Sequence, residues 1–240
     1  MMEPFLSDRD ALATSLMVVN PNTNPRVTAN IRAEVARVIL PSTQALVVNP
    51  AAGPFSIETE ADRDAAETHV LALLRDAMTA RHDGYVLAAF DDIGLAGART
   101  LLRAPVVGAV EAGIAAARAM ARRFTVVTTV SGALPGIRRQ FARHGVAQMA
   151  TARAADIGVA EAANGGGAAI EKLVQAIDAA VRSDGAEAIL LGSGGLTGSA
   201  DILRRHVGIP VIDAVLAAVK LAEGLVALSP RALAREPAAD

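Results

Sequence analysis

The sequence predicts an α/β fold built from two similar halves that meet at a cleft. Three observations carry this reading. Short apolar runs alternate with longer Ala-rich segments of helical periodicity. One strand–turn–helix–strand layout occurs twice. The composition, 52% apolar but only 2% aromatic, is ample for a core assembled from Ala, Val, Leu and Ile.

The runs SLMVVN (15–20), ALVVN (45–49), GYVLAAF (84–90), PVVGAV (105–110), FTVVTTV (124–130), EAILLG (187–192) and PVIDAV (210–215) read as strands. Their near-continuous hydrophobicity suits strands buried on both faces, as in a parallel sheet covered by helices. Pro25 lies near the start of a helix that runs to about Leu40, where Pro41 helps end it. Leu71, Leu74 and Met78 mark one face of a helix over roughly 58–81. Such alternation gives an open α/β fold.

The duplication lies between GYVLAAFDDIGLAGARTLLRAPVVGAV and AEAILLGSGGLTGSADILRRHVGIPVIDAV. Each is an apolar strand, a small-residue turn with Gly-Leu-x-Gly, a helix and a Pro-led strand. Ala89 and Ser193 correspond, as do Pro105 and Pro210, with a single insertion between the pairs. MVVNPNTNP (17–25) and TVVTTVSGA (125–133) open the two halves as strand plus polar turn. Ligands of such sheets sit outside the carboxyl ends of strands, so two facing halves place Asn20, Ala89, Thr128 and Ser193 around one cleft. The domains are read as 15–112 plus 213–228 and as 113–212, with flexible tails at 1–14 and 229–240.

Composition excludes several functions. A formal net charge of −2 with no basic run argues against nucleic acid as a partner, because phosphate neutralisation needs clustered Lys and Arg. The chain has no Cys, which removes disulfides, thiolate metal sites and thiol catalysis. Its four His residues are dispersed without ligand spacing, so no metal site is expected. Acidic residues in MMEPFLSDRDALATS occupy the place of a signal peptide's positive region, and no uncharged run approaches the ~18 residues of a membrane helix. A cytoplasmic protein with no membrane partner is expected.

NPNT (20–23), NPAAGPFSIE (49–58), AAFDDIGL (88–95), FTVVTT (124–129), LLGSGGL (190–196) and PVIDAVLAAVKLAE (210–223) closely resemble the hydantoin and allantoin racemases of the aspartate/glutamate racemase superfamily. The resemblance spans about 15–225. It implies two pseudo-symmetric domains, each a four-stranded parallel sheet flanked by helices, with a small-molecule substrate between them, no cofactor, and a homo-oligomer. It also implies one Cys from each domain flanking an acidic carbon, one removing a proton and the other delivering one. Here the first position is Ala89 and the second is Ser193. Ala has no exchangeable proton, and a Ser hydroxyl is a far weaker acid than a thiol of pKa about 8.5. Three readings follow: an engineered Cys-less variant, a homologue with altered chemistry, or a binding descendant.

For altered chemistry the candidate is Asp91, which an extended chain projects to the same side as Ala89. Asp91 and Asp92 equally suit a solvated loop or a helix N-cap. A lyase or hydrolase using Asp91 is the rival enzyme. The catalytic positions are thus Ala89, Ser193 and Asp91. Substrate contacts are assigned to Asn20 and Thr23, which also fit turn capping, to Gly53 and Pro54, to Phe90 as cover for a small ring, to Thr128 and Thr129, and to Gly194 and Gly195 of the turn. Glu111 and Asp213 read as structural hydrogen-bond acceptors.

Overall fold

A computed structural model describes residues 13–229. The expected leader up to residue 12 and the tail from residue 230 lie outside them. The first half runs β1 (Thr14–Val19), α1 (Pro25–Val38), β2 (Thr43–Val48), α2 (Glu60–Ala77), β3 (Gly84–Leu87), α3 (Leu95–Leu101), β4 (Val106–Gly108) and α4 (Ala109–Met120). The second runs β5 (Phe124–Thr128), α5 (Leu134–Arg143), β6 (Ala150–Ala154), α6 (Val159–Asn164), α7 (Gly167–Asp184), β7 (Ala188–Leu191), α8 (Ala200–Arg204), β8 (Val211–Asp213) and α9 (Ala214–Leu228). The strands form two four-stranded sheets, β2-β1-β3-β4 and β6-β5-β7-β8, with every pairing parallel.

Local chemistry sets the helix starts. The Asn24 side chain accepts from the Arg26 N–H with Pro25 as the first helical residue, and Thr59 with Asp62 forms a capping box on α2. The halves interlock through their last helices. α4 packs along α9; α9 lies against β1, β3 and β4, and α4 reaches β7 and β8. Small side chains permit this approach. A Cβ on Gly113 of α4 would stand 2.8 Å from Leu190 Cδ1 and 3.1 Å from Ala214 Cβ. One core therefore runs through both halves, joining Leu16, Val18 and Val86 of the first sheet to Phe124, Val126 and Leu190 of the second. Separate clusters cover the far faces, around Met17, Val70 and Leu74 in one half and Ile177, Ile189 and Leu203 in the other.

Several expectations need correction. β6, with the sequence ATARA, is a strand where none was read, because Ala and Arg carry little strand preference. The runs at 105–110 and 210–215 are strands only to Gly108 and Asp213. A helix follows each without a loop, so Ala109, Val110, Ala214 and Val215 are helical. The division at 112/113 falls inside α4, and that at 212/213 inside β8. The tail reading overreached at both ends. Thr14 opens β1, its N–H bonded to Ser42 O at 2.7 Å, and Ser229 closes α9 through its N–H to Leu225 O. The Gly-Leu-x-Gly letters, finally, do not occupy equivalent places. Gly94–Gly97 starts α3, whereas Gly195–Gly198 lies within and beyond a 3₁₀ turn. The matching glycines are Gly94 and Gly198, both left-handed at φ 75° and 91°. Among the described residues, no helix is long and apolar enough to cross a membrane.

Candidate active site

Each sheet has its two central strands on either side of the point where strand order reverses, and the turns leaving them open a crevice at their carboxyl ends. The two crevices face each other. The pocket between them takes Ala89, Phe90 and Asp91 from the turn after β3 and Ser193, Gly194 and Gly195 from the turn after β7. Thr128 and Thr129 at the end of β5 also line it, as does Asn22 after β1. Ile57, Ile93, Ile137 and Val159 supply apolar wall. The turns touch directly, since a Cβ on Gly194 would stand 2.9 Å from the Ala88 carbonyl oxygen. A side chain there would drive the halves apart. Phe90 packs over Gly192, where a Cβ would also meet Val126 Cγ1 at 2.4 Å.

The turn after β7 is held by Ser193. Its Oγ accepts from the Gly195 N–H at 3.2 Å, capping the 3₁₀ turn, and this leaves its own hydroxyl hydrogen for a ligand. Thr128 Oγ1 donates to the Gly192 carbonyl at 2.8 Å and so fixes the start of the same turn. Among the described residues, no hydrogen bond engages the backbone N–H groups of Ala89, Phe90, Asp91, Ser193 or Gly194. Both turns thus present spare amide donors where they line the pocket. Such preorganised donors suit oxygen atoms that gain negative charge during reaction.

Four of the residues assigned to substrate contact stand behind the pocket lining. Asn20 is fully buried and donates Nδ2 to Asn22 Oδ1 and to Thr28 Oγ1, both at 3.0 Å. Thr23 bonds Pro54 O through its N–H at 2.9 Å and its hydroxyl at 3.3 Å, which ties the loop carrying Gly53 and Pro54 to the first turn. This network aims Asn22, the residue between them. Asn22 Oδ1 is occupied by Asn20 Nδ2 and the Asn24 N–H, so its amide can offer only its Nδ2 hydrogens to the pocket.

Asp91 and Asp92 part company. Asp91 lines the pocket and pairs with Arg63 of α2, Nε to Oδ2 at 3.2 Å. Burial pushes its carboxyl upward, while Arg63 and the more distant Arg139 hold it down. Arg63 had no signal in the sequence, because only folding brings α2 over the turn. Asp92, in a left-handed conformation (φ 49°), turns away. Its Oδ1 accepts from Val110 N at 2.8 Å and its Oδ2 from Glu111 N at 3.3 Å, capping α4. Burial pushes the Asp92 carboxyl up to about 7. Asp213 caps α9 in the second half, with Oδ1 accepting from Val215 N and Leu216 N and Oδ2 from Gly198 N. Its carboxyl is pushed up to about 6, again by burial. Glu111 pairs with Arg99 and accepts from Gly108 N. Among the described residues, no cluster of three His, Cys, Asp or Glu side chains could hold a metal ion.

A pocket that takes one similar turn from each of two similar halves, with spare donors on both, marks an α/β protein whose halves share one small-molecule site. Comparison with known proteins makes the class particular. The model of the Asp/Glu/hydantoin racemase family matches residues 16–222, and the chain belongs to that family. A hydantoin racemase of Rhizobium meliloti is 36% identical over 209 residues, 87% of each chain. The solved allantoin racemase from Klebsiella pneumoniae superposes with a TM-score of 0.87 at 38% identity, over 95% of both chains. That from Pseudomonas fluorescens gives a TM-score of 0.84 at 31% identity, over 95% of this chain and 98% of its own.

Proposed function

We propose that this racemase-family enzyme acts, without a cofactor, at the acidic carbon of a 5-substituted hydantoin or a similar cyclic ureide. The observation that carries the reading is the pair of facing turns with spare amides, 89–91 and 193–194, around one pocket. The proton on a carbon beside a ring carbonyl becomes acidic when the carbonyl oxygen can take the charge as an enolate. Amide donors aimed at that oxygen lower the barrier because they need no reorganisation as charge develops. Asn22 Nδ2 adds a side-chain donor, and Thr128 and Thr129 with Phe90 bound the ring.

Proton handling falls to the groups within reach. Ser193 brings a hydroxyl from the second half. In the first half Ala89 brings nothing, and Asp91, kept ionisable by Arg63, is the base we assign. That asymmetry also supports a second reading, in which the same scaffold serves a lyase or hydrolase using Asp91, or binds its ligand without turning it over. By family likeness we further propose a cytoplasmic homo-oligomer.

Thermal unfolding with a panel of 5-substituted hydantoins tests the substrate class. A ligand at a hundredfold excess over its Kd stabilises the folded chain by about 2.7 kcal/mol, which is a rise of several degrees. A melting curve unmoved by the whole panel would remove the ureide assignment.

A further inference from the structure

α5 begins with Leu-Pro-Gly (134–136) beside the pocket, and Gly136 leaves a gap there. The point a Cβ would occupy has Arg139 Nη2 at 3.8 Å, Asp91 Oδ1 at 3.9 Å and Arg63 Nη2 at 4.0 Å. Arg63 comes from α2 and Arg139 from α5, so both halves contribute to this ring of charge. Two guanidiniums and one carboxylate thus face the gap over Gly136. Arg63 contacts Asp91 through Nε, which leaves its Nη groups outside that contact. Arg139 is exposed and enters no hydrogen bond or ion pair among the described residues; it acts on Asp91 through its field. The Glu58 carboxylate is oriented away from them by neutral donors, its Oε1 accepting from Ser56 Oγ at 3.0 Å and Val159 N at 3.4 Å, and it keeps its charge.

We infer that the ligand carries a carboxylate on its ring substituent, received in the gap over Gly136 between Arg63 and Arg139. This deepens the ureide reading and rests on it. A guanidinium edge matches a carboxylate with two parallel N–H donors, and the missing Cβ leaves room for an oxygen between the two edges. The second guanidinium, Arg139, is the one that offsets the repulsion between that carboxylate and Asp91. A ring held by the amides at residues 89–91 and 193–194 would extend a short acidic arm toward this gap, along the side where Asp91 lines the pocket. Hydantoin-5-acetate is the simplest ligand of that kind.

The test compares calorimetric binding of hydantoin-5-acetic acid with that of its neutral isostere, hydantoin-5-acetamide, to the full chain at low salt. The acid is expected to bind about tenfold tighter or better, as a charge-assisted pair warrants. The preference should shrink as salt rises. It should collapse toward unity in Arg139→Gln, an exposed position whose change is expected to leave the melting temperature unmoved, and persist in Arg182→Gln on α7. Equal binding of acid and amide, or a preference that survives Arg139→Gln, would overturn the inference and leave the ureide reading standing. If neither compound binds, the ureide reading and the inference fall together.

Discussion

The two halves anchor their site turns by the same linkage made from opposite ends. In the second half Asp213, last residue of β8, caps α9 and reaches across to the turn at Gly198 N, 3.0 Å away. In the first half the matching position is Gly108, and the carboxylate comes from the turn itself: Asp92 reaches across to cap α4. Asp92 fills the space a side chain at 108 would need, since a Cβ there would stand 2.3 Å from Asp92 Oδ1. The position matching Asp92 in the second half is the buried Leu196. An arginine contact, by contrast, is retained outright. Arg99 forks onto the Val106 carbonyl as Arg204 does onto Val211. The connection between turn and helix is common to both halves, and the residue that makes it is not.

Breaking the linkage in the second half should cost most. Asp213→Ala leaves three N–H groups without their acceptor, that of Val215 buried and those of Gly198 and Leu216 half-buried, and is expected to destabilise by about 3 kcal/mol in denaturant titration. Asp92→Gly removes two such contacts while Glu111 keeps the Gly108 N–H, so about 2 kcal/mol is expected. The sharper test exchanges the arrangements. Gly108→Asp alone should destabilise through its clash with Asp92, whereas Asp92→Gly with Gly108→Asp should recover about 1 kcal/mol or more over Asp92→Gly alone. Strict additivity would show that the two positions do not share one space.

A further difference separates the halves by pH. Both carboxyls have folded values, about 7 for Asp92 and about 6 for Asp213, above the unfolded value near 4. The folded protein therefore holds protons that the unfolded chain has released. Each group's contribution favours the folded state below about pH 4 and is lost as pH rises through the folded value. Asp92→Asn should flatten the fall in stability across pH 4–7 relative to the unchanged protein, and Asp213→Asn should do so only up to about pH 6. Parallel pH profiles in all three proteins would contradict these assignments.

Much of this was legible in the sequence. Continuous apolar runs betray strands buried on two faces, and the repeated strand–turn–helix announced two halves whose turns at Ala89 and Ser193 line one pocket. What escaped shares one cause, in that it depends on contacts between distant segments. β6 is a strand because β5 pairs with it, not because ATARA prefers extension. Arg63 reaches Asp91 from α2, and the exchange between Asp92 and Gly108 pairs positions joined only by the fold. The NPNT motif drew attention to the right loop but to Asn20 and Thr23, whose hydrogen bonds prove to be internal. Asn22, between them, is the one that faces the pocket.

On our reading, the turns at Ala89 and Ser193 address opposite faces of a single substrate carbon. Proton–deuterium exchange at C5 of a hydantoin, followed beside its optical rotation, tests this most directly in the protein as it stands, in Ala89→Cys, in Ser193→Cys and in the double variant. Ala89→Cys places one thiol opposite only the Ser193 hydroxyl, so exchange should outrun inversion in that variant. The double variant should raise inversion far beyond the product of the single effects, because removal on one face and delivery on the other act as a unit. Inversion that rises only by that product, or not at all while the ligand still binds, would contradict the claim.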